Sequence, residues 1–256
     1  MTTIQFVSDL HIEYNDDIAA NPLNFITPVA DILVLAGDIG SFYKIKQLTN
    51  FCETLCPHFQ IILYIPGNHE WYTIPNQEPV SLKALESRMK KLENDINDLY
   101  PRKFYVLNRN SVRIGNICIA GATLWTEPDC QIPPFIVRIH DIKSKDYREL
   151  HQTDLKYLCK MIGYCEKNNL KLIVITHHPP TKKVLKDAKK RKKFESLYAN
   201  DLDHLLDIKY VNTWICGHIH KNFDFVSEKG TRLVSNQKGK PKDNITDYRT
   251  NFTLSL

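Results

Sequence analysis

Residues 32–38 read Ile32-Leu33-Val34-Leu35-Ala36-Gly37-Asp38: five apolar residues, then a glycine and an acid. A run this short, apolar on both faces, suits a strand buried between two layers. The Gly-Asp that follows suits a turn. The same grammar recurs along the chain. Residues 4–7 lead into Ser8-Asp9-Leu10-His11, and 61–65 into Pro66-Gly67-Asn68-His69. Residues 172–175 lead into Thr176-His177-His178-Pro179, and 214–216 into Gly217-His218-Ile219-His220. Open α/β sheets place ligands beyond the carboxyl ends of their strands, so polar clusters at such ends, spread from residue 9 to residue 220, predict one shared site.

Helical patterns lie between the runs. Leu82, Leu85, Met89, Leu92, Ile96 and Leu99 are three or four residues apart, one apolar face of an amphipathic helix, with Ser81 as N-cap and Pro101 just beyond its end. Leu155, Leu158, Ile162 and Cys165 mark a second helix, and residues 44–55 a third. Shorter strands fit 112–114, 117–120, 232–235 and 252–254. Strands alternating with helices predict an α/β fold with a mixed sheet or two sheets. With no internal repeat and no Gly/Ser/Pro linker, the 256 residues read as a single domain, 1–256.

Composition narrows the class. Hydrophobic residues at 43% and charged residues at 25% exclude wholesale disorder. No apolar run reaches the roughly 18 residues of a membrane span. The opening MTTIQFVSDLHIE has no basic n-region, which predicts no signal peptide. Seven cysteines, an odd number without a CxxC pair, predict reduced thiols and a cytoplasmic protein; Cys118, Cys165 and Cys216 sit in apolar runs as small buried hydrophobes. The net charge of +5 is concentrated: the segment from Lys182 to Lys193, KKVLKDAKKRKK, carries eight basic residues and one acid. It follows His177-His178-Pro179-Pro180 and would rim a site there, either to capture a nucleotide or nucleic acid or as a solvated loop. The cluster at 189–193 also reads as a nuclear-localisation signal. Only Phe194 and Tyr198 are aromatic nearby, which argues against a single-strand stacking platform.

Pooled, the strand ends offer Asp9, His11, Asp38, Asn68, His69, His177, His178, His218 and His220. These are hard oxygen and imidazole nitrogen donors without a thiolate, a set suited to divalent Mn, Fe, Zn, Co or Ni. Asp9-x-His11 and His218-x-His220 are i,i+2 pairs that can face one ion. A lone Asp-x-His or Gly-Asp is weak evidence, since both are common in turns; the signal is in their combination and order. Trp71, Tyr72 and Trp125 lie beside the motifs, either as packing or to stack on a base or sugar. His140, His151 and His204 fall outside the pattern and read as surface or satisfied histidines.

The set DLH (9–11), GD (37–38), GNHE (67–70), THHPP (176–180) and GHIH (217–220) resembles the calcineurin-like metallophosphoesterase superfamily. SDLHIE, ADILVLAGDI, GNHEWY, GATLWT and SNQKG resemble its small cytosolic branch of undefined substrate. The resemblance implies an α/β/β/α sandwich of two mixed sheets flanked by helices. It implies a phosphoric ester hydrolase with two divalent ions (Mn, Fe, Zn or Ni). Asp9, His11 and His220 would hold one ion, Asn68, His177 and His218 the other, and Asp38 would bridge them. His177 is chosen over His178 because it comes first after the strand. A metal-bridging hydroxide would attack a phosphodiester or phosphomonoester, and His69 would protonate the leaving oxygen. Asp38 is followed by Ile39-Gly40-Ser41, so the GDxVDRG motif of the protein Ser/Thr phosphatases is missing, with its His-orienting Asp and phosphate-gripping Arg. The group that orients His69 is left open; Glu70 is adjacent. The alternative readings are a nuclease or nucleotide phosphodiesterase using the basic rim, and a metal-free binding scaffold on the same fold. Nothing in the sequence sets the oligomeric state.

Overall fold

The computed structural model describes residues 3–185 and 194–255, so the basic cluster at 189–193 and most of the 182–193 segment lie outside the described residues. Along the chain the strands are β1 (Thr3–Val7), β2 (Ile32–Ala36), β3 (Ile61–Ile65), β4 (Phe104–Val106), β5 (Asn110–Ile114), β6 (Ile117–Ala122), β7 (Lys171–Thr176), β8 (Thr213–Ile215), β9 (Asp224–Val226), β10 (Arg232–Val234) and β11 (Thr253–Ser255). The α-helices are α1 (Asp16–Ala20), α2 (Pro22–Phe25), α3 (Ile45–Leu55), α4 (Leu82–Leu99) and α5 (Ser144–Lys167).

The strands form two mixed sheets, in the orders β11-β1-β2-β3-β4 and β5-β6-β7-β8-β10-β9. In the first, β1 to β4 are parallel and β11 closes the edge antiparallel to β1. In the second, β6, β7, β8 and β10 are parallel, and β5 and β9 are antiparallel edges. The layers follow from the alternation of side chains along each strand. Ile32, Val34 and Ala36 of β2 meet Ile173 and Ile175 of β7 in the core between the sheets. Leu33 and Leu35 face the other way, into a core with Leu48 and Phe51 of α3 and Leu85 and Leu92 of α4. Leu172 and Val174 of β7 pack with Leu158, Ile162 and Cys165 of α5. This is the expected α/β/β/α arrangement. Both faces of the central strands are covered, which is why their sequences are continuously apolar rather than alternating.

Helix α4 begins where its pattern predicts, with Ser81 Oγ accepting from the Ala84 N–H at 3.3 Å. Helix α5 begins eleven residues before Leu155. Its buried face continues toward the N-terminus through Tyr147, His151 and Asp154. These side chains hide the apolar period because they are polar, yet each finds a partner in the interior. His151 Nδ1 lies 2.6 Å from the Trp125 carbonyl, and Asp154 accepts from Arg109 at 2.7 Å. No strand is expected from the sequence at β4 or β9; β9 is an edge strand with Asp224 and Val226 exposed, which leaves no apolar run. Cys118, Cys165 and Cys216 are buried and free, as their contexts predict. Among the described residues no helix is long and apolar enough to cross a membrane.

Ile175 is fully buried between the sheets, whereas Leu99 at the end of α4 is 63% exposed. Ile175→Ala is expected to lower unfolding stability in urea by about 2–5 kcal/mol. Leu99→Ala should stay within about 0.5 kcal/mol of the parent. Similar losses for both would contradict the inter-sheet placement of Ile175.

Candidate metal centre

Every predicted donor sits just past the carboxyl end of a strand, and the two sheets deliver them to one place. The first sheet supplies Asp9 and His11 after β1, Asp38 after β2, and Asn68 and His69 after β3. The second supplies His177 after β7 and His218 and His220 after β8. The turns are stitched together within each sheet: the Asp9 N–H donates to the Gly37 carbonyl and His11 N–H to the Asp38 carbonyl in the first, and Gly217 N–H to the His177 carbonyl in the second, all at 2.9–3.0 Å. The His218 N–H donates to the Asp9 carboxylate at 3.1 Å.

The backbone turns sharply to do this. Asp9, His11, Asp38, His218 and His220 all have positive φ, between 48° and 75°. Residues other than glycine avoid this left-handed region, and such strain clusters at functional sites. Gly37, at φ 87°, serves a second need: a Cβ there would fall on the His177 ring. A Cβ at Gly217 would come within 2.7 Å of Ser8 Oγ and strike the Asp9 carboxylate.

Three overlapping groups of donors result, of which His11, Asp38 and His69 link the other two. Asp9, His11 and His220 form one, with His11 Nε2 to His220 Nε2 at 3.0 Å and His220 Nε2 to Asp9 Oδ1 at 3.3 Å. Asp38, His177 and His218 form the other, with Asn68 Oδ1 3.0 Å from His177 Nε2. Asp38 faces both: Oδ1 lies 3.2 Å from His177 Nε2 and Oδ2 lies 3.8 Å from His11 Nε2. The outer nitrogens are held elsewhere. His177 Nδ1 lies 3.1 Å from the Ala36 carbonyl, His11 Nδ1 3.3 Å from Glu13, and His220 Nδ1 2.5 Å from Asp243. An Nδ1–H donated outward leaves the Nε2 lone pair for a metal, the usual support of a ligating histidine.

The charges fit cations. Burial opposes ionisation of Asp38, but His177, His69 and His11 outweigh it and hold the carboxyl well below its usual range. Burial, His178 and His177 keep His218 well below its ordinary value, hence neutral. Both its ring nitrogens are buried without a hydrogen-bond partner among the described residues. An unpartnered imidazole beside a buried carboxylate is the environment a divalent ion completes. His178 differs. Its Nδ1 faces the Thr123 carbonyl at 3.2 Å, its ring lies against Trp125 and His218, and burial and His177 drive its pKa down to about 3. The ring that approaches Asp38 and Asn68 is His177.

Two carboxylates do what sequence reasoning left open. His69 Nδ1 lies 3.1 Å from Glu13 Oε1. Burial would raise the Glu13 carboxyl, but hydrogen bonds with His11 and His69 hold it at about 2. Glu70 turns away from His69. It accepts from the backbone N–H groups of Asp38, Ile39, Gly40 and Gly67 and from the Tyr64 hydroxyl, at 2.8–3.3 Å. Burial and the Asp38 charge push its carboxyl up to about 8, while these five donors favour the ionised form. The only sequence signal for Glu13 was its place two residues past His11. Trp71 and Trp125 are packed, against Phe42 and against Tyr147. His151 is satisfied inside, and His140 and His204 are exposed. A cleft of about 250 Å³ opens over the donors, lined also by Tyr72, Val137, Leu197, Lys240 and Lys242.

A family model for calcineurin-like phosphoesterases matches residues 2–222. The chain is 29% identical over 276 residues to an uncharacterised protein of Acanthamoeba polyphaga mimivirus, covering 97% of this chain and 95% of that one. Among solved structures, phosphopantetheinyl hydrolase from Mycobacterium tuberculosis superimposes with a TM-score of 0.73 at 16% identity, over 99% of this chain and 95% of that one. A dimetal phosphatase from Danio rerio gives 0.55 at 12% identity, over 91% and 86%. These structural likenesses are likenesses of fold.

Gly217→Ala is expected to keep the native circular dichroism spectrum and lose bound metal, read by elemental analysis, because its Cβ displaces the Asp9 carboxylate. Gly163→Ala in α5, where a Cβ meets nothing within 4 Å, should keep its metal and gain up to about 1 kcal/mol of stability. Full metal content in Gly217→Ala would contradict the tight seat of Asp9.

Proposed function

The chain belongs to the calcineurin-like phosphoesterase family, and on that premise we propose that it is a dinuclear metal-dependent phosphoesterase. It acts as a single domain, 1–256, on a phosphodiester or phosphomonoester. The observation that carries this reading is Asp38, whose Oδ1 faces His177 of one donor group and whose Oδ2 faces His11 of another. Asp9, His11 and His220 would hold one ion, Asn68, His177 and His218 the other, and Asp38 would contribute to both. When bound, the ions, of Mn, Fe, Zn or Ni, supply Lewis-acid activation of water and charge neutralisation at the phosphoryl oxygens.

The chain's own residues supply the rest. The paired strand ends hold the donors rigid, so the ester meets a prearranged site. Glu13 fixes the His69 ring by accepting its Nδ1–H, which aims Nε2 at the cleft. His69 gives the leaving oxygen its proton, a contribution of about 10²–10⁴-fold. The missing Asp of the phosphoprotein phosphatase motif is thereby replaced by a Glu from the turn after β1. The cleft's volume of about 250 Å³ suits a phosphoryl group with a small substituent. The second reading, a nuclease or nucleotide phosphodiesterase, rests on the 182–193 charge. Of that segment, Lys183 is engaged by Asp203 and Glu228 at 2.9 and 3.4 Å.

The direct test is hydrolysis of bis-p-nitrophenyl phosphate and p-nitrophenyl phosphate after chelation and readdition of Mn²⁺, Zn²⁺, Fe²⁺ or Ni²⁺. Turnover should vanish on chelation, return with metal, and be absent in Asp38→Asn. An inert wild type under every metal refutes the reading. At saturating metal, Glu13→Gln is expected to lower kcat about 10- to 100-fold with KM nearly unchanged, since it loosens the ring of the acid His69, and the metal content of the variant reads its second effect, on the donor His11. A rise in KM alone would contradict that role.

A further inference from the structure

Lys240 lies in the loop after β10, and its Nζ sits 3.2 Å from His69 Nε2. A carboxylate can only accept, so Glu13 fixes the proton of neutral His69 on Nδ1. Nε2 then presents a lone pair, and the Lys240 ammonium donates to it. The lysine is held by its own backbone: its N–H donates to Asp243 Oδ2 at 2.8 Å, and that carboxylate is also the partner of His220 Nδ1. Asp243 is thus engaged with the metal centre and leaves the ammonium without a carboxylate within 4.0 Å among the described residues. Nζ stands over the Tyr14 ring, 5.5 Å from its centroid. The other charged groups around it are Asp38, Glu13, Lys242 and Arg138. A cation that is partly buried, fixed at its backbone and unpaired is arranged for an anionic visitor.

The place of that visitor follows from His69. The oxygen that His69 protonates must come within hydrogen-bond reach of Nε2, which is where Lys240 Nζ is. We propose that Lys240 is a catalytic cation on the leaving-group side, donating a hydrogen bond to the departing oxygen beside His69. As water adds to phosphorus, a new P–O bond forms and the ester P–O bond breaks. Its electron pair goes to the leaving oxygen, which takes the proton that His69 Nε2 has first gained from solvent, a gain that releases the Lys240 ammonium toward that oxygen, and the attacking water's proton returns to solvent. Lys240 stabilises the charge that grows on that oxygen before the proton arrives. The proposal rests on the hydrolase reading above, and it names a residue that neither the sequence motifs nor the family match assigns.

The role has a signature that a structural residue or a general phosphate grip lacks. Charge on the leaving oxygen matters most when the leaving group is poor. The experiment measures kcat/KM for phosphate esters of 2,4-dinitrophenol, 4-nitrophenol and phenol with metal-loaded wild type, Lys240→Met and Lys240→Arg. Lys240→Met is expected to lose about 10- to 100-fold on the phenyl ester and no more than about 3-fold on the dinitrophenyl ester. Lys240→Arg should recover part of the phenyl activity. Inhibition by inorganic phosphate should change by no more than about 3-fold, because it probes the phosphoryl site and not the leaving side. An equal loss on all three esters, a large weakening of phosphate inhibition, or no loss on the phenyl ester overturns the proposal while wild-type turnover keeps the hydrolase reading. A wild type inert toward every ester overturns both.

Discussion

The site hangs on a buried carboxylate that touches no substrate. Glu70 takes hydrogen bonds from four backbone N–H groups after β2 and β3 and from the Tyr64 hydroxyl on β3. Those N–H groups sit where the chain leaves its strands and has no ladder partner. Unpaired in the interior, each would cost free energy comparable to a lost hydrogen bond. The carboxylate satisfies them together, locks the turn that holds Asp38 at φ 52°, and ties it to the turn that carries Asn68 and His69. The position of Asp38 between the two donor groups is a consequence of that clamp.

A second consequence is electrostatic. The turns press two buried carboxylates, Asp9 and Asp38, into a ring of imidazoles whose Nδ1 atoms are mostly occupied by outward partners. The Nε2 atoms of His11 and His220 face each other at 3.0 Å. Two lone pairs at that distance repel unless a proton or a cation lies between them. The positive φ values of five donors add strain to the same small region. The parallel strands and cores on either side are rigid enough to hold this arrangement ready, which is how a scaffold pre-organises a cation site.

Much of this was legible in the sequence for local reasons. A strand buried on both faces has a continuous apolar signature, and the residue after its end is chemically distinct, so the five strand ends and their donors could be read directly. Helix α4 was legible because its buried face is wholly apolar and its cap is a serine. Helix α5 was only half legible. Tyr147, His151 and Asp154 occupy its buried face, and their polarity is acceptable only because Arg109 and the Trp125 carbonyl wait for them in the fold. β9 was invisible because a short edge strand with exposed residues has no pattern to show.

The sequence by itself determined the α/β class and the place of the candidate donors at strand ends, because those depend on local periodicity and on side-chain chemistry. Only the tertiary structure decided how they are paired. Glu13 looks like an ordinary acid in a turn, Glu70 like a neighbour of His69, and Lys240 like one lysine among many. Glu13 meets His69 across 56 positions of chain and Lys240 meets it across 171. The first contact is set by the strand order within one sheet and the second by how the two sheets pack, and no local pattern encodes either. The choice of His177 over His178 is of the same kind: adjacent rings leave a strand end in different directions, and the packing of the sheets settles which one meets Asp38.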